Sequence, residues 1–239
     1  MAIYAILRFK ILTDQAVGPE FTGTLLIGFG VVSVTLSSIF LLLQEDFKRL
    51  LAYSSIEHIG IALVGFGLGG LGVFGGLWHL LNHALAKSAA FYGAGLVLLK
   101  HEHKFMARVP GLLQEYPLAG LALLVGGLVL AGMPPFGLFV SEITIAANAM
   151  ITAPSIAYGF IGVLTLAFAT LLFQILRMVL GVPMETPIST VGSRCRVFST
   201  VAISINLGVL IYLGLQIPSG LHDLIGAILP LFHAEGEYF

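Results

Sequence analysis

Three ionisable side chains lie at four-residue intervals inside a long apolar stretch, WHLLNHALAKSAAF. They are His79, His83 and Lys87. In a helix they would form a polar stripe, with Asn82 beside it, that rises about 12 Å along the axis. Imidazole titrates near neutral pH, and burial makes the charge of a lysine easier to lose. This pattern is typical of groups that pass protons from one to the next.

Other interpretations of the same stretch stay open. Either histidine could serve only as a hydrogen-bond partner of a neighbouring helix. Lys87 could extend its amine to the membrane surface, although it falls near the middle of its apolar stretch. The HLLNH spacing also suggests zinc, but Leu80 stands where the zinc-protease motif has a glutamate. The sequence therefore predicts no metal site.

Further ionisable residues occur at positions where a charge inside the membrane costs free energy. Glu57, His58 and Glu142 lie within apolar stretches, and a charge at the bilayer centre costs about 2.5–3.5 kcal/mol on insertion scales. A fixed ion pair is the alternative for Glu142. Lys48 precedes His58 by about 15 Å of helix, and it could open the path or simply be a basic residue at a helix end. The predicted proton relay comprises Lys48, Glu57, His58, His79, His83, Lys87 and Glu142.

The stretch that carries Glu142 is interrupted. LAGLALLVGGLVLAG (118–132) runs into MPPFG and then into LFVSEITIAANAM. Pro134 and Pro135 remove two backbone donors and clash with the preceding turn, so the helix must break in the segment that contains Pro134, Pro135 and Gly137. Broken backbone at membrane depth is tolerated where it is buried in protein or lines a wet cavity, as at the ion sites of transporters. A plain proline kink is the alternative.

Composition sets the fold class. The 239 residues are 58% hydrophobic and 10% charged, whereas soluble domains carry about 25% charged residues. We therefore predict an all-α integral membrane protein with a single domain over residues 1–239, in which an N-terminal half-helix precedes about six transmembrane helices. The predicted spans are 20–43, 47–66, 71–99, 118–150 with its break at Pro134-Pro135, 155–180 and 197–217, and an amphipathic tail, 220–233, is expected at the interface.

Basic residues are concentrated in alternate connections between the spans. On one side of the membrane the basic residues are Arg8 and Lys10 alone, and the connections on the other side contain more Lys and Arg. By the positive-inside rule the richer side is cytoplasmic, so both chain ends are predicted to lie outside a multi-pass protein of the cell inner (plasma) membrane. The basic residues of the richer side are Lys48, Arg49, Lys100, Lys104, Arg108, Arg177, Arg194 and Arg196.

Several functional classes are disfavoured. The formal net charge of −1 argues against a nucleic-acid partner, and the single Cys195 allows no internal disulfide and no cysteine-based cluster. GLGGLG (67–72) matches a nucleotide-binding pattern, but no strand precedes it. HEHKF (101–105) is more typical of a solvated loop than of a metal site. We predict no cofactor and no catalytic site in the chain itself, so any enzyme activity would belong to a larger complex.

Three segments together resemble the proton-translocating, antiporter-like membrane subunits. They are QEDFKRLLAYSSIEHIGI (44–61), HLLNHALAKSAAFYGAG (79–95) and LAGMPPFGLFVSE (130–142). That family is shared by respiratory NADH:quinone oxidoreductase, group 4 membrane-bound hydrogenases and Mrp-type cation/proton antiporters. The segments SSIEHIGI (54–61) and IYAILRFK (3–10) are most similar to those of component F of hydrogenase-4 and its formate hydrogenlyase relatives.

The resemblance implies a fold of two inverted repeats with a central axis of Lys, His and Glu side chains. It matches Glu142 to the acidic residue of the broken helix and Lys87 to the central lysine of some members. It also matches Arg8 to the arginine of the family's LLRF-type helix end. It also implies that most of the first repeat would precede Met1. The chain is therefore expected to be a C-terminal fragment that supplies the second repeat.

The resulting hypothesis is proton translocation within a membrane-bound hydrogenase or a complex-I-like respiratory complex, with other membrane subunits as partners. Two alternatives stay open. One is a stand-alone or Mrp-type cation/proton antiporter, with Na⁺ as a further substrate. The other is an inert, truncated membrane scaffold.

Overall fold

The structure is a computed structural model that describes residues 2–109, 111–182 and 193–232, the side chains of 193–196 excepted. Three of the described helices begin at a proline, and several glycine turns separate others. The α-helices are α1 (Ala2–Val17), α2 (Pro19–Leu42), α3 (Phe47–Leu68), α4 (Leu71–His101), α5 (Leu112–Glu115), α6 (Pro117–Leu130), α7 (Gly137–Thr152), α8 (Pro154–Val179), α9 (Ser193–Leu215) and α10 (Ser219–Ile228).

Hydropathy agrees with the membrane prediction. Within the described ranges, α2, α3, α8 and the Val197–Leu215 part of α9 are long and apolar enough to cross a bilayer. The shorter apolar helices include α6 and α7, the two halves of the predicted interrupted span. The all-helical membrane fold and the break in this span are therefore confirmed.

Local sequence explains where the helices begin and end. The carboxylate of Asp46 accepts hydrogen bonds from the backbone amides of Lys48 and Arg49, at 2.9 and 3.3 Å, and so caps α3. Gly69 and Gly70 both have positive φ, at 72° and 51°, which only glycine adopts at little cost. They allow the tight turn that brings α4 back alongside α3.

Two features differ from the sequence-based expectation. The first helix has 16 residues, more than the half-helix predicted. It continues through a polar segment because Lys10 and Asp14 form a buried ion pair at 2.5 Å, to which the hydroxyl of Thr22 donates. The connection after α4 also contains α5 and a 3₁₀ turn, Met106–Arg108, neither of which was predicted.

Helix α4 lies at the centre of the described bundle, in contact with α3, α6, α7 and α9. Helices α2 and α3 pack backbone to backbone, since a Cβ on Gly30 would lie 2.7 Å from the carbonyl oxygen of Gly60. Small residues permit such close approach between membrane helices. This packing fixes α3, which presents its polar residues towards α4.

Candidate proton-transfer site

Side chains from three helices meet in a hydrogen-bonded chain at the centre of the bundle. His58 of α3 and His79 of α4 are joined through Nδ1 and Nε2 respectively, at 3.1 Å. Nδ1 of His79 in turn lies 2.9 Å from the hydroxyl of Ser141 on α7. All three residues have no measurable solvent exposure. The predicted polar stripe of α4 therefore faces α3 and α7.

The hydrogen-bond pattern assigns the tautomers of both histidines in their neutral forms. The hydroxyl of Ser141 donates to the backbone carbonyl of Leu138 at 2.7 Å, and a serine has only one hydrogen to donate. Ser141 must then accept from Nδ1–H of His79, which leaves Nε2 of His79 bare. That nitrogen then accepts from Nδ1–H of His58, whose Nε2 has no hydrogen-bond partner among the described residues.

Lys87 lies on the cytoplasmic side of this chain, by the predicted orientation. Its amine donates to the hydroxyl of Ser54 at 2.5 Å and to the backbone carbonyl of Leu51, so it docks on α3 and not at the membrane surface. Glu57 lies within electrostatic range of Lys87 and of Glu142. The predicted lysine is thus central, buried and beside a carboxylate.

Several buried polar atoms in and around the histidines have no hydrogen-bond partner among the described residues. They include one oxygen of Glu57 and Nε2 of both His58 and His83. The ring centroid of His83 lies 4.8 Å from that of His58, so these atoms share one region. Buried polar groups are normally satisfied by protein or by ordered water. This clustering favours a site that holds water between Lys87 and the histidines.

Glu142 lies on α7, one residue beyond Ser141, and is 7% exposed. Its carboxylate rests against Gly132, whose φ is 69°, and a Cβ at that glycine would collide with the carboxylate. Glu142 also lines a cavity of about 450 Å³ between the broken segment and α8, whose walls include Met133 and Phe168. The break therefore makes the space that the carboxylate occupies.

The broken segment is held by two further close approaches. A side chain at Gly137 would collide with the amide of Asn82 on α4. Gly214 of α9 lies against the backbone of Pro135 and Phe136, where a Cβ would meet the Cα of Phe136 at 2.7 Å. The break is thus braced by α4 and α9, as irregular backbone at membrane depth requires.

Lys48 is not brought into this group. It is exposed in the first turn of α3, about 15 Å along the axis from His58. Its neighbour Asp46 lies outside the membrane spans. Burial alone would raise the pKa of Asp46, but hydrogen bonds from Lys104 and from the backbone amides of Arg49 and Lys48 outweigh that effect and hold the pKa below its usual value. A role of Lys48 at the entrance stays a prediction.

Sequence reasoning missed several members of the site. Ser141 and Ser54 were not selected because serine is common in helices and its partner depends on how the helices pack. Gly132 was passed over although it precedes the two prolines. The only sequence signal for Ser141 is its position next to Glu142.

The donor atoms of three residues could hold a metal ion. One ligand atom each from His58, His79 and Glu142 lies within 4.8 Å of the other two, and all three residues are buried. His83, the second histidine of the HLLNH spacing, does not belong to this group. Cys195 lies among the residues whose side chains are outside the described part of the chain.

The sequence matches the family model described as NADH:quinone oxidoreductase/Mrp antiporter, transmembrane, over residues 1–185. The chain belongs to this family. It is 38% identical over 184 residues to the hydrogenase-4 component F homolog of Methylacidiphilum infernorum, which covers 77% of the chain and 39% of that relative. It is 34% identical over 154 residues to formate hydrogenlyase subunit 3 of Escherichia coli K12, covering 59% of the chain and 25% of that protein.

Solved structures agree on the fold. A chain of respiratory complex I from Thermus thermophilus superposes with a TM-score of 0.77 at 22% identity, covering 90% of this chain and 46% of that one. A chain of the Mrp complex from Dietzia gives 0.72 at 20% identity, with 87% and 48% covered. The chain therefore spans less than half of the length of these relatives and structures, and the resemblance noted in the sequence is confirmed.

Proposed function

We propose that this chain translocates protons as a membrane subunit of a hydrogenase or complex-I-like respiratory complex. The observation that carries the proposal is the hydrogen-bonded chain from His58 through His79 to Ser141. Nε2 of His58 has no hydrogen-bond partner among the described residues, and an oxygen of Glu142 lies within 4.8 Å of a ring nitrogen of each histidine. Such an array accepts a proton at one end and releases one at the other.

The proton steps follow from the tautomers. A proton taken up at Nε2 of His58 makes that ring a donor at both nitrogens, and its Nδ1 hydrogen can then move to Nε2 of His79. His79 becomes positively charged, and His58 returns to its neutral form. His79 then has a hydrogen on both ring nitrogens, and the carboxylate of Glu142, an oxygen of which lies within 4.8 Å of one of them, takes one of these hydrogens, so that His79 becomes neutral and the carboxylate becomes a carboxylic acid. Lys87 and Glu57 supply or withhold protons on the cytoplasmic side.

The structure supports the proposed orientation in the inner membrane. Lys104, in the loop after α4, pairs with Asp46, in the loop before α3, at 3.2 Å. Gln174, near the C-terminus of α8, donates to the carbonyl of Gln44 at 3.2 Å. The connections that carry Lys48, Lys104 and Arg177 therefore meet at one end of the bundle, which we assign to the cytoplasm. Both chain ends then lie outside, and other membrane subunits are the expected partners.

An Mrp-type cation/proton antiporter is the second candidate, because the Mrp complex shares the fold. The donor set of the central group favours protons over Na⁺. Two of its three ligand atoms are imidazole nitrogens, whereas hard cations such as Na⁺ prefer oxygen ligands. No redox centre is assigned to the chain, and electron transfer would belong to other subunits.

The test uses the assembled complex that contains the full-length subunit, reconstituted in vesicles. We expect Lys87→Met to reduce proton movement per electron at least tenfold, because the amine on Ser54 and Leu51 is lost from the path, and Lys104→Met to leave it unchanged. Replacing Na⁺ by K⁺ should not alter the ratio. Full proton movement in Lys87→Met would contradict the proposal, and a strict Na⁺ requirement would favour the antiporter.

A further inference from the structure

The central group has the donor chemistry of a transition-metal site. We propose that His58, His79 and Glu142 bind a divalent transition-metal ion, Zn²⁺ in particular, and that the bound ion blocks the proton path. Two imidazole nitrogens and a carboxylate oxygen, drawn from three helices, form the group. Zinc is commonly held by such a set of three protein ligands with a fourth position open.

The spacing of the ligand atoms suits zinc. Bonds of about 2.1 Å in a tetrahedron place neighbouring ligand atoms about 3.4 Å apart. Nδ1 of His58 and Nε2 of His79 are now 3.1 Å apart, and an oxygen of Glu142 lies within 4.8 Å of one ring nitrogen of each histidine. Small side-chain rotations, without a movement of the helices, would complete the arrangement.

The tautomer of His79 is already the one that a metal requires. Metal-binding histidines donate the hydrogen of their other ring nitrogen to a fixed acceptor, which orients the ring. His79 donates through Nδ1 to the hydroxyl of Ser141. That hydroxyl is itself held in place, because it donates to the carbonyl of Leu138. Nε2 of His79 is therefore bare and held in place. A metal ion would take the position of the hydrogen that His58 now donates.

Charge near the group is compatible with a divalent ion. Glu142 belongs to the group itself, Glu57 acts on it electrostatically, and Lys87 is a nearby cation that acts on His58. Binding replaces the proton shared by His58 and His79, which is the step that the proposed relay needs. The binding itself is independent of the proposed function, but the inhibitory effect rests on it.

The experiment measures Zn²⁺ binding by the assembled, resting complex, titrated against a chromophoric chelator. The competing histidines include His101, which is buried at the C-terminus of α4, and His103 in the loop that follows, so His101→Gln/His103→Gln serves as the matched control. We expect His79→Asn and Glu142→Gln each to weaken one saturable site at least tenfold, and Ser141→Ala to weaken it about tenfold through the orientation of His79. The His101→Gln/His103→Gln variant should keep the site.

Copper provides a second readout that folding defects do not imitate. Cu²⁺ added in place of Zn²⁺ should show two imidazole nitrogens in its electron paramagnetic resonance spectrum, and one in the His79→Asn complex. Unchanged zinc affinity in both His79→Asn and Glu142→Gln, or loss of the site only in the His101→Gln/His103→Gln variant, would overturn the proposal. Because no turnover is needed, a complex that binds zinc but moves no protons would contradict the proposed function alone.

Discussion

At the scale of single residues, Ser141 sets which ring nitrogen of His79 carries the hydrogen, and hence the direction in which the proposed relay would carry a proton. Its hydroxyl is committed to the carbonyl of Leu138, so His79 must donate to it through Nδ1. Without that constraint either nitrogen of His79 could hold the hydrogen. One small side chain thus sets the tautomers of two histidines on other helices.

We predict that Ser141→Ala slows proton movement and destabilises the protein. The substitution leaves Nδ1–H of His79 buried without an acceptor, which costs about 1–3 kcal/mol. Thr144→Val is the matched control, because the hydroxyl of Thr144 donates only to Val140 of its own helix, at 2.8 Å. Thermal unfolding of the detergent-purified complex and proton movement per electron measure the two effects. Equal behaviour of the two variants would remove Ser141 from the relay.

The sequence predicted the residue types of the site better than their contacts. The spacing of His79, His83 and Lys87 places them on one face of α4, as expected from helix geometry. The partners of Lys87, however, are Ser54 and a backbone carbonyl of α3, which depend on how two helices align. Residue spacing within one helix carries no information on that alignment.

At the scale of the helices, glycine contacts set the alignment of α2 and α3. We predict that Gly30→Ala destabilises the protein by about 1–3 kcal/mol, because the added Cβ would lie 2.7 Å from both the carbonyl of Gly60 and a methyl group of Val64. Proton movement should fall as well, since α3 carries Glu57 and His58.

Gly28→Ala, on the same helix, is the control for this prediction. A Cβ at Gly28 meets nothing within 4 Å, so the substitution should be neutral or slightly stabilising. Thermal unfolding of the two purified complexes compares them directly. The packing argument fails if Gly28→Ala loses as much stability as Gly30→Ala.

The start of α3 provides a pH-dependent contribution to stability. The lowered pKa of Asp46 means that its carboxylate stabilises the folded state fully above the unfolded pKa, near 3.8, and that this contribution is lost as the pH falls through the folded pKa. We predict that Asp46→Ala costs about 1 kcal/mol at neutral pH, and that the difference from the wild type disappears in acid.

Asp46→Asn separates the two contributions, because asparagine also caps a helix but cannot pair with Lys104. Unfolding temperatures measured between neutral and acidic pH compare the three proteins. A constant difference between wild type and Asp46→Ala at every pH would show that the carboxylate charge adds nothing.

The broken span shows which elements the sequence can predict. Two adjacent prolines forbid a continuous helix, and the structure places the gap between Leu130 and Gly137. The sequence did not show that the carboxylate of Glu142 occupies this gap. The carboxylate fits because Gly132 has a positive φ and no side chain, and because α4 and α9 pack against the broken segment. These are contacts between residues far apart in the chain.

At the scale of the whole molecule, the described bundle combines a polar centre with an apolar exterior. Large apolar side chains such as Phe9, Phe29 and Phe173 are exposed, whereas His58 and His79 are fully buried. The exposed apolar side chains suit a membrane environment, and the buried polar centre is where we propose that protons move. Composition alone was enough to predict the exterior, while the arrangement of the centre needed the three-dimensional structure.

The central claim is that Glu142 exchanges protons with the histidine chain. The most direct test is the number of protons moved per electron by the reconstituted complex carrying Glu142→Gln, which keeps the shape of the side chain. The control is Glu20→Gln, which removes an exposed carboxylate at the start of α2. We predict that electron transfer continues in both, and that proton movement falls at least tenfold in Glu142→Gln alone. An unchanged proton-to-electron ratio in Glu142→Gln would contradict the account.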